Sequence, residues 1–309
     1  MIKTDVLIIG SGPAGYTAGL YTTRAGLNTT LFTGKNIGGQ LMYTHEIENF
    51  PGYEKISGAE LMNIFQKQVV SIGTTIENEQ IKSLNIKKYP FEFTTESTRH
   101  GEAKAVIIAT GSKAKWLNIT GEEKFKGQGI SVCATCDGFF YRNKIVAVIG
   151  GGNTALYEAL FLARVASAVY LINNTDKFSG EFTLQKQVFE NKKIIVLNNT
   201  SVQAFNGNER LESILIYNKK EEKQDILQIN GVFEAIGTLP QTELVENQLE
   251  LTSDGYIKTD KRTMETSVKG VFACGDVQEN IYRQAINAAG SGCVAALGVE
   301  KFLLHPEPY

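Results

Sequence analysis

Two glycine-rich turns constrain this chain more than any other feature, because each follows an apolar run and precedes a helical pattern. The first turn, 10–15 (GSGPAG), follows an apolar strand and is followed by a helix predicted over 16–24 and a strand over 27–32. The second turn, 150–155 (GGGNTA), follows an apolar strand at 144–149 and is followed by the same order of elements. A strand, a glycine turn and a helix in this order form the dinucleotide-binding fingerprint. Two such units predict two nucleotide-binding domains in one chain.

The glycines of the first turn have separate physical roles. Gly10 permits the tight turn, Gly12 lets a pyrophosphate approach the backbone, and Gly15 lets helix and strand pack closely. The N-terminus of the helix then presents its positive end to the phosphates. The acidic residue that usually follows the second strand and binds a ribose hydroxyl is absent, since 32–34 reads FTG. Thr33 or the backbone would have to replace it.

The order of the remaining strands predicts how the two domains are connected. Further apolar strands end in glycine turns at Gly111, Gly237 and Gly275, and the second fingerprint stands between the first two of these. This order predicts an α/β fold in which the second domain, residues 114–243, is inserted into the first, residues 1–113 and 244–309. We expect the two hinges at 113–118 and 238–241, where strands pass into loops. A last helix is predicted over 283–303.

A pair of cysteines lies in the inserted domain. Cys133 and Cys136 are three residues apart on one short turn, and Asp137 follows directly. Such a pair can close into a disulfide or open to two thiols, so it can hold two electrons and exchange them with another disulfide. The other cysteines, Cys274 and Cys293, stand singly in apolar surroundings and are interpreted as small buried hydrophobic residues.

Composition excludes several other classes of function. The chain has 309 residues, 42% of them apolar, and a net charge of -2 without a basic stripe, so nucleic acid is an unfavourable partner. We expect no membrane span and no signal peptide, which favours a cytoplasmic protein. The histidines, His45, His100 and His305, are scattered, and zinc ligands in paired spacing are missing. We therefore expect no metal site.

With these motifs assembled, the chain closely resembles the bacterial low-molecular-weight thioredoxin reductases, flavoproteins of the two-dinucleotide-domain disulfide oxidoreductase type. The segments that carry the resemblance are 10–15, 38–41, 48–52, 109–111, 133–142, 150–155 and 275–285. In that family the redox pair lies in the inserted nicotinamide domain, unlike in the lipoamide and glutathione reductases. The resemblance implies two Rossmann-like three-layer domains, a homodimer, and rotation of the inserted domain during the reaction cycle.

The resemblance also implies a reaction and two cofactors. Hydride would pass from NADPH or NADH to FAD, then to the cysteine pair, and thiol-disulfide exchange would reduce thioredoxin. FAD would be bound by Gly10, Ser11, Gly12, Pro13, Ala14, Gly15, Gly34, Gly38, Gly39, Gln40, Leu41, Asn49, Thr110, Gly111, Gly275, Asp276, Arg283, Gln284 and Ala285. The nicotinamide nucleotide would be bound by Gly150, Gly151, Gly152, Asn153, Thr154, Ala155, Asn173, Asn174, Ile236 and Gly237.

Catalytic roles follow from the same resemblance. Cys136 would face the flavin, Cys133 would attack the partner's disulfide as a thiolate, and Asp137 would protonate a leaving thiolate. Asp137 could instead be a simple turn cap. Phe139 and Phe140 would contact the docked partner, or would be ordinary core residues after a turn.

The chain departs from the family at the site for the 2′-phosphate of NADPH. Members that use NADPH carry a His-Arg-Arg run and a further arginine, whereas Asn173, Asn174, Thr175 and Ser179 stand here. Lys177 is the nearest remaining cation in the sequence, and one flexible ammonium replaces bidentate arginines poorly. We expect the preference for NADPH over NADH to be weak or reversed.

Three alternatives remain open from the sequence. Ferredoxin or flavodoxin could feed the flavin, although the second fingerprint is intact. A reductase or short oxidase of the same family could serve a different partner. A redox-inactive flavoprotein or nucleotide-binding regulator is disfavoured by the presence of both cysteines.

Overall fold

The computed structural model describes residues 1–44 and 46–304, which form two compact units. The first comprises Met1–Lys113 together with the chain from Leu239 onward, and the second comprises Ala114–Thr238. The expected α/β architecture, with one Rossmann-like unit inserted into another, is confirmed.

The described residues contain seven α-helices and seventeen strands. The helices are α1 (Pro13–Arg24), α2 (Gly58–Ser71), α3 (Glu122–Phe125), α4 (Ala134–Asp137), α5 (Asn153–Val165), α6 (Phe182–Glu190) and α7 (Ala285–Leu304). The strands are β1 (Ile2–Ile9), β2 (Thr29–Phe32), β3 (Thr75–Glu77), β4 (Ile81–Asn85), β5 (Phe91–Thr95), β6 (His100–Ile108), β7 (Ser112–Ala114), β8 (Ile130–Ser131), β9 (Ile145–Ile149), β10 (Ala168–Ile172), β11 (Ile194–Leu197), β12 (Thr200–Gly207), β13 (Leu211–Asn218), β14 (Lys223–Gln228), β15 (Gly231–Glu234), β16 (Thr238–Pro240) and β17 (Val271–Ala273).

The first unit is built on a seven-stranded sheet in the order β3-β2-β1-β6-β5-β4, with β17 also paired to β6. Strands β1, β2, β3, β6 and β17 are parallel, while β5 and β4 continue the sheet antiparallel. The central strands are apolar runs because both faces of the sheet are covered. This arrangement brings the ends of β1 and β17 together with the starts of α1 and α7.

The second unit repeats the same architecture on a smaller scale. Its five-stranded sheet is parallel, in the order β11-β10-β9-β15-β8, and a three-stranded antiparallel sheet, β12-β13-β14, is added to it. Helix α5 follows β9 directly and packs its buried alanines and leucines on the sheet. The cysteine pair and the second glycine turn both belong to this unit.

The chain passes between the units in two short strands, β7 and β16, which pair with each other. The second border falls between Thr238 and Leu239, a few residues before the 243/244 border predicted from sequence. The physical reason is Gln241, whose backbone N–H donates to Gly111 O at 2.9 Å. Thr110 Oγ1 also donates to Gln241 O at 2.6 Å, so this residue is fastened to the first unit.

Helix bounds differ slightly from the sequence prediction. Helix α1 begins at Pro13, because Gly12 caps it in an extended conformation and proline is favoured at the first helical position. Helix α7 runs over Ala285–Leu304. None of the helices in the described ranges is long and apolar enough to cross a bilayer.

Candidate redox and nucleotide sites

The cysteine pair forms a disulfide at the start of helix α4. Cys133 is the N-cap residue, and the N–H groups of Cys136 and Asp137 donate to its carbonyl at 3.2 and 3.1 Å. The Ala134 N–H donates to Glu158 Oε1 on helix α5 at 3.3 Å. Cys136 is exposed and Cys133 is half-buried. The turn is therefore held by its backbone, and the disulfide reaches the surface at Cys136.

Asp137 lies beside the disulfide in a half-buried position. Burial raises the pKa of its carboxyl above the ordinary value, and a hydrogen bond with Ser131 partly offsets this increase. Ser131 is buried, and its hydroxyl oxygen accepts the Cys133 N–H at 3.1 Å. Tyr141 is next to the carboxyl, and its pKa is raised to about 12 by burial and by the charge of Asp137. Asp137 therefore keeps its proton to higher pH than an exposed aspartate does.

Two aromatic residues after the redox turn face solvent. Phe139 is 58% exposed and Phe140 is 40% exposed, so neither belongs to the core. The Arg142 guanidinium lies 5.4 Å from the centroid of the Phe139 ring. Gly138 packs against Phe161 and Leu162 of α5. The rings of Phe139 and Phe140, which follow Gly138, therefore lie at the surface close to the disulfide.

The first glycine turn fits a dinucleotide. Gly10 has φ +114, and a Cβ there would overlap the Ala109 carbonyl, while a Cβ on Gly15 would overlap the Gly10 carbonyl. A Cβ on Gly12, in contrast, would have no protein atom within 4 Å. Backbone atoms therefore fill the space beside Gly10 and Gly15, whereas the space beside Gly12 is not occupied by protein atoms. An open Gly12 at the start of α1 is the position where a pyrophosphate would approach.

Loops around this turn are joined by hydrogen bonds between sequence-distant residues. Ser11 Oγ donates to Thr33 O at 3.1 Å and accepts the Gly38 N–H at 3.0 Å. Gln40 Nε2 donates to Ser112 O at 3.1 Å. Open space also faces Gly34 and Gly111, each at positive φ. Most of the residues predicted to bind FAD near the N-terminus are thus brought to one edge of the sheet.

The remaining predicted FAD residues lie between β17 and α7 in the same unit. Burial raises the pKa of Asp276 to about 6, an increase that Arg283 opposes and Glu279 reinforces. Asn49 Nδ2 donates to Gln284 Oε1 at 3.2 Å, which connects this segment to the 48–52 loop. The close packing of α7 on α1 depends on Gly292, where a Cβ would overlap the Ala14 carbonyl. A half-buried carboxylate here suits a ribityl hydroxyl, from which it can accept a hydrogen bond.

A cavity of about 440 Å³ lies at the second glycine turn. Its wall consists of Leu117, Ile149, Gly150, Gly151, Gly152, Asn153, Thr154, Ile172, Asn174, Ser179, Thr200, Ser201, Val202, Ala235, Ile236 and Gly237. The cavity opens at the carboxyl ends of β9, β10 and β15, where nucleotides bind in open α/β sheets. No charged side chain belongs to the wall of this cavity in the described part of the chain.

The residues at the expected phosphate site divide into two groups. Asn174 and Ser179 belong to the cavity wall. Asn173 is buried, with 2% of its surface exposed. Its Nδ2 donates to Thr175 O at 3.1 Å and to Asn198 Oδ1 at 3.2 Å. Its Oδ1 accepts a hydrogen bond from Thr175 Oγ1 at 3.0 Å. Asn173 and Thr175 are therefore hydrogen-bonded to each other. Asn174 faces the cavity, and Ser179 Oγ donates to Gly151 O at 3.3 Å in the cavity wall.

Two residues were missed by sequence reasoning. Ser131 connects Cys133 and Asp137, and a lone serine before a cysteine pair gives no signal of that role. Lys115 lies at the edge of the cavity, because its Nζ is 3.8 Å from the point where a Cβ on Gly237 would stand. Its backbone N–H donates to Gly237 O at 3.0 Å. This bond joins the first and last segments of the second unit, which are far apart in the sequence, so sequence spacing gives no sign of it.

Cys274 is fully buried and Cys293 is half-buried, so the interpretation of both as small hydrophobic residues fits Cys274 better. Among the described residues, no group of three or more His, Cys, Asp or Glu side chains could hold a metal ion. His45 and His305 lie outside the described residues.

Comparison with known proteins defines the class of protein. The profile of the family described as Pyridine nucleotide-disulphide oxidoreductase matches residues 4–292, and the chain belongs to that family. Thioredoxin reductases are among its relatives within the family. The thioredoxin reductase of Rickettsia felis is 45% identical over 306 residues, covering 98% of this chain and 99% of its own.

Solved structures give the same result. The thioredoxin reductase from Giardia duodenalis has a TM-score of 0.94 at 37% identity, covering 98% of this chain and 100% of its own. The thioredoxin reductase from Streptococcus pyogenes has a TM-score of 0.91 at 36% identity, with 98% of each chain covered. The family resemblance inferred from the motifs is confirmed.

Proposed function

We propose that this chain is a thioredoxin-disulfide reductase that uses FAD and a nicotinamide nucleotide. The observation that carries the proposal is a surface disulfide in the same unit as a nucleotide-sized cavity built on a glycine fingerprint. The net reaction converts NAD(P)H, one proton and thioredoxin disulfide into NAD(P)⁺ and thioredoxin dithiol. Flavin bound in the first unit would supply the two-electron transfer between nicotinamide and the Cys133–Cys136 disulfide.

The reduced cysteine pair performs the second half of the reaction. The Cys133 thiolate attacks a sulfur of the thioredoxin disulfide, which forms a mixed disulfide and releases one thioredoxin thiolate. The Asp137 carboxyl, whose pKa is raised by burial, supplies a proton to that leaving group. Cys136 then attacks Cys133, which restores the disulfide of the reductase and releases the second thioredoxin thiolate. Phe139 and Phe140 provide an apolar surface for the docked partner.

The first unit binds FAD in this proposal. The open space at Gly12 accommodates the pyrophosphate, and the half-buried carboxyl of Asp276 accepts a hydrogen bond from the ribityl chain. The second unit, with the cavity at Gly150–Ala155, binds the nicotinamide nucleotide. The two bordering segments at Lys113 and Thr238 act as hinges for the inserted unit.

Coenzyme preference is weak or shifted towards NADH. The neutral wall of the cavity at Asn174 and Ser179 supports this proposal, since a 2′-phosphate finds no charge-assisted partner there. Lys115 supplies the cation nearest to Gly237 and faces the diphosphate or nicotinamide end instead. The family resemblance further supports a homodimer that acts in the cytoplasm, where small-protein dithiols are kept reduced.

The test of this function is a two-stage reaction with purified protein. The flavin absorbance should bleach on addition of NADH or NADPH and should return on addition of oxidised thioredoxin. Steady-state reduction of thioredoxin with the two coenzymes, side by side, then gives the preference. A colourless protein that refuses flavin contradicts the proposal, and a flavin bleached by reduced ferredoxin or flavodoxin alone favours that electron donor.

A further inference from the structure

Two glutamates that the proposed reaction does not use are buried together in the second unit. Glu122 begins helix α3 and Glu234 ends strand β15, and they are 3% and 2% exposed. The N–H of Leu117 donates to Glu122 Oε1 at 2.8 Å and to Glu234 Oε2 at 3.2 Å. The N–H of Asn118 donates to Glu122 Oε2 at 2.9 Å. No N–H or hydroxyl of the described residues donates to the second Glu234 oxygen, Oε1.

The two carboxyl groups accept from the same Leu117 N–H, so they lie next to each other in the interior of the unit. Two carboxylates can only repel, and burying both as anions is costly. Burial and the neighbouring Glu122 raise the pKa of Glu234 to about 8, while Lys126 opposes this increase. Lys126 is ion-paired with Glu123 and lies 4.2 Å from the centroid of the Trp116 ring. The pair therefore carries one shared proton at neutral pH.

The position of this pair connects it to the nucleotide cavity. Leu117, which donates to both carboxyls, belongs to the cavity wall. The three residues that follow Glu234, 235–237, belong to the same wall. The carboxyl pair thus fastens two segments of the wall, one before α3 and one after β15, that are distant in sequence.

We propose that Glu122 and Glu234 form a proton-dependent latch that holds Leu117 against the end of β15 and keeps the nicotinamide-nucleotide cavity in its binding shape. This inference rests on the proposed function, because it concerns the coenzyme site. When the shared proton is lost, two anions compete for one N–H and repel each other. The 117–118 segment then moves away from β15, and the cavity binds the nucleotide less tightly. Both glutamates act as positioning residues.

The experiment measures the dissociation constants of NAD⁺ and NADP⁺ for the FAD-loaded protein as a function of pH. One pH unit above the pKa only about a tenth of the molecules keep the proton, so affinity should fall by up to about tenfold at pH about 9. Glu234→Gln stays neutral and can still donate to Glu122, so its affinity should stay level over the same range. Glu209→Gln, at an exposed glutamate elsewhere in the same unit, should keep the wild-type pH dependence.

A second readout does not depend on coenzyme binding. Infrared difference spectra of the wild type should contain a protonated-carboxyl band that disappears as pH rises through about 8 and is missing in Glu234→Gln. In Glu122→Gln the neighbouring charge is lost, so the band should disappear at lower pH. Equal pH dependence of affinity in wild type and Glu234→Gln, or the absence of a titrating band in the wild type, overturns the latch. Failure to bind either nucleotide at any pH, with the band still present, contradicts the proposed function and leaves the shared proton established.

Discussion

The hydroxyl oxygen of Ser131 accepts a hydrogen bond from the backbone N–H of Cys133 at 3.1 Å. The same side chain is hydrogen-bonded to the Asp137 carboxyl and lowers its pKa, against the increase that burial causes. Ser131 therefore connects the backbone of Cys133, the proposed nucleophile, to Asp137, the proposed acid. The balance of these two effects sets the pH at which Asp137 gives up its proton.

This relationship predicts that Asp137→Asn lowers the rate of thioredoxin reduction, whereas Ser131→Ala shifts its pH dependence. Asp137→Asn removes the acid and should slow thioredoxin reduction by about a hundredfold or more. Ser131→Ala removes the hydrogen bond that lowers the pKa of Asp137, together with the acceptor of the Cys133 N–H, so that pKa should rise. Because the protonated carboxyl is the active form, the decline of kcat/KM for thioredoxin with rising pH should move to higher pH. Full activity in Asp137→Asn, or a decline at lower pH in Ser131→Ala, would contradict the role of the acid.

Serine substitutions at the disulfide should separate flavin binding from turnover. Cys133→Ser and Cys136→Ser should both abolish reduction of thioredoxin, because neither can close the disulfide. Both should keep FAD, which is proposed to bind in the other unit. Cys293→Ser is the matched control, since that cysteine is a free thiol in α7, and it should keep wild-type turnover. Turnover at full rate in Cys136→Ser would show that the sulfur roles are wrong.

Two glycine substitutions should remove the two cofactors independently. Gly12 and Gly152 both cap helices in extended conformations, and a Cβ on either would meet no protein atom closer than 3.7 Å. Gly12→Ala should therefore fold but lose FAD, whereas Gly152→Ala should keep FAD and lose affinity for the nicotinamide nucleotide. Flavin content, thermal unfolding and coenzyme titration measure the three properties. Gly10→Ala is the contrast: it should destabilise the first unit, because its φ is +114 and its Cβ would overlap Ala109.

The sequence predicted the architecture because each Rossmann-like unit is marked by local signals. Glycine turns, apolar strands and their order determine where β1, β9 and their helices lie, and these are properties of neighbouring residues. The cysteine pair is likewise local. Resemblance to a family added the roles of distant residues such as Asp276, which no spacing rule connects to Gly12.

What the sequence could not predict depends on contacts between segments far apart in the chain. Glu122 and Glu234 look like two surface glutamates until β15 and α3 bring them together without solvent. Asn173 and Asn174 are identical neighbours, yet one is buried in a hydrogen-bond network and the other faces the cavity. The alternation follows from the direction of the chain as it leaves β10, which composition does not reveal.

Lys115 should contribute to coenzyme binding without affecting the choice of coenzyme. Its ammonium lies beside Gly237, near β15, away from the end of β10 where a 2′-phosphate would sit. Lys115→Gln should raise KM for NADH and NADPH alike by about two- to fivefold, since an exposed ion pair contributes up to about 1 kcal/mol. Lys192→Gln, at an exposed lysine elsewhere in the second unit, is the control and should leave both KM values unchanged. If KM rose for NADPH and stayed the same for NADH, Lys115 would instead bind the 2′-phosphate.

Arginines introduced at the cavity wall should create a preference for NADPH. Asn174 and Ser179 are the positions to change, because they face the cavity, whereas substituting Asn173 would disrupt its bonds to Thr175 and Asn198. Each charge-assisted bond to a phosphate is worth about 1.5 to 3 kcal/mol, so Asn174→Arg with Ser179→Arg should raise the ratio of kcat/KM for NADPH over NADH at least about tenfold. Gln187→Arg, at an exposed position on α6 outside the cavity wall, is the control for added charge alone. If the wild type already favours NADPH strongly and the double variant changes nothing, the 2′-phosphate binds elsewhere.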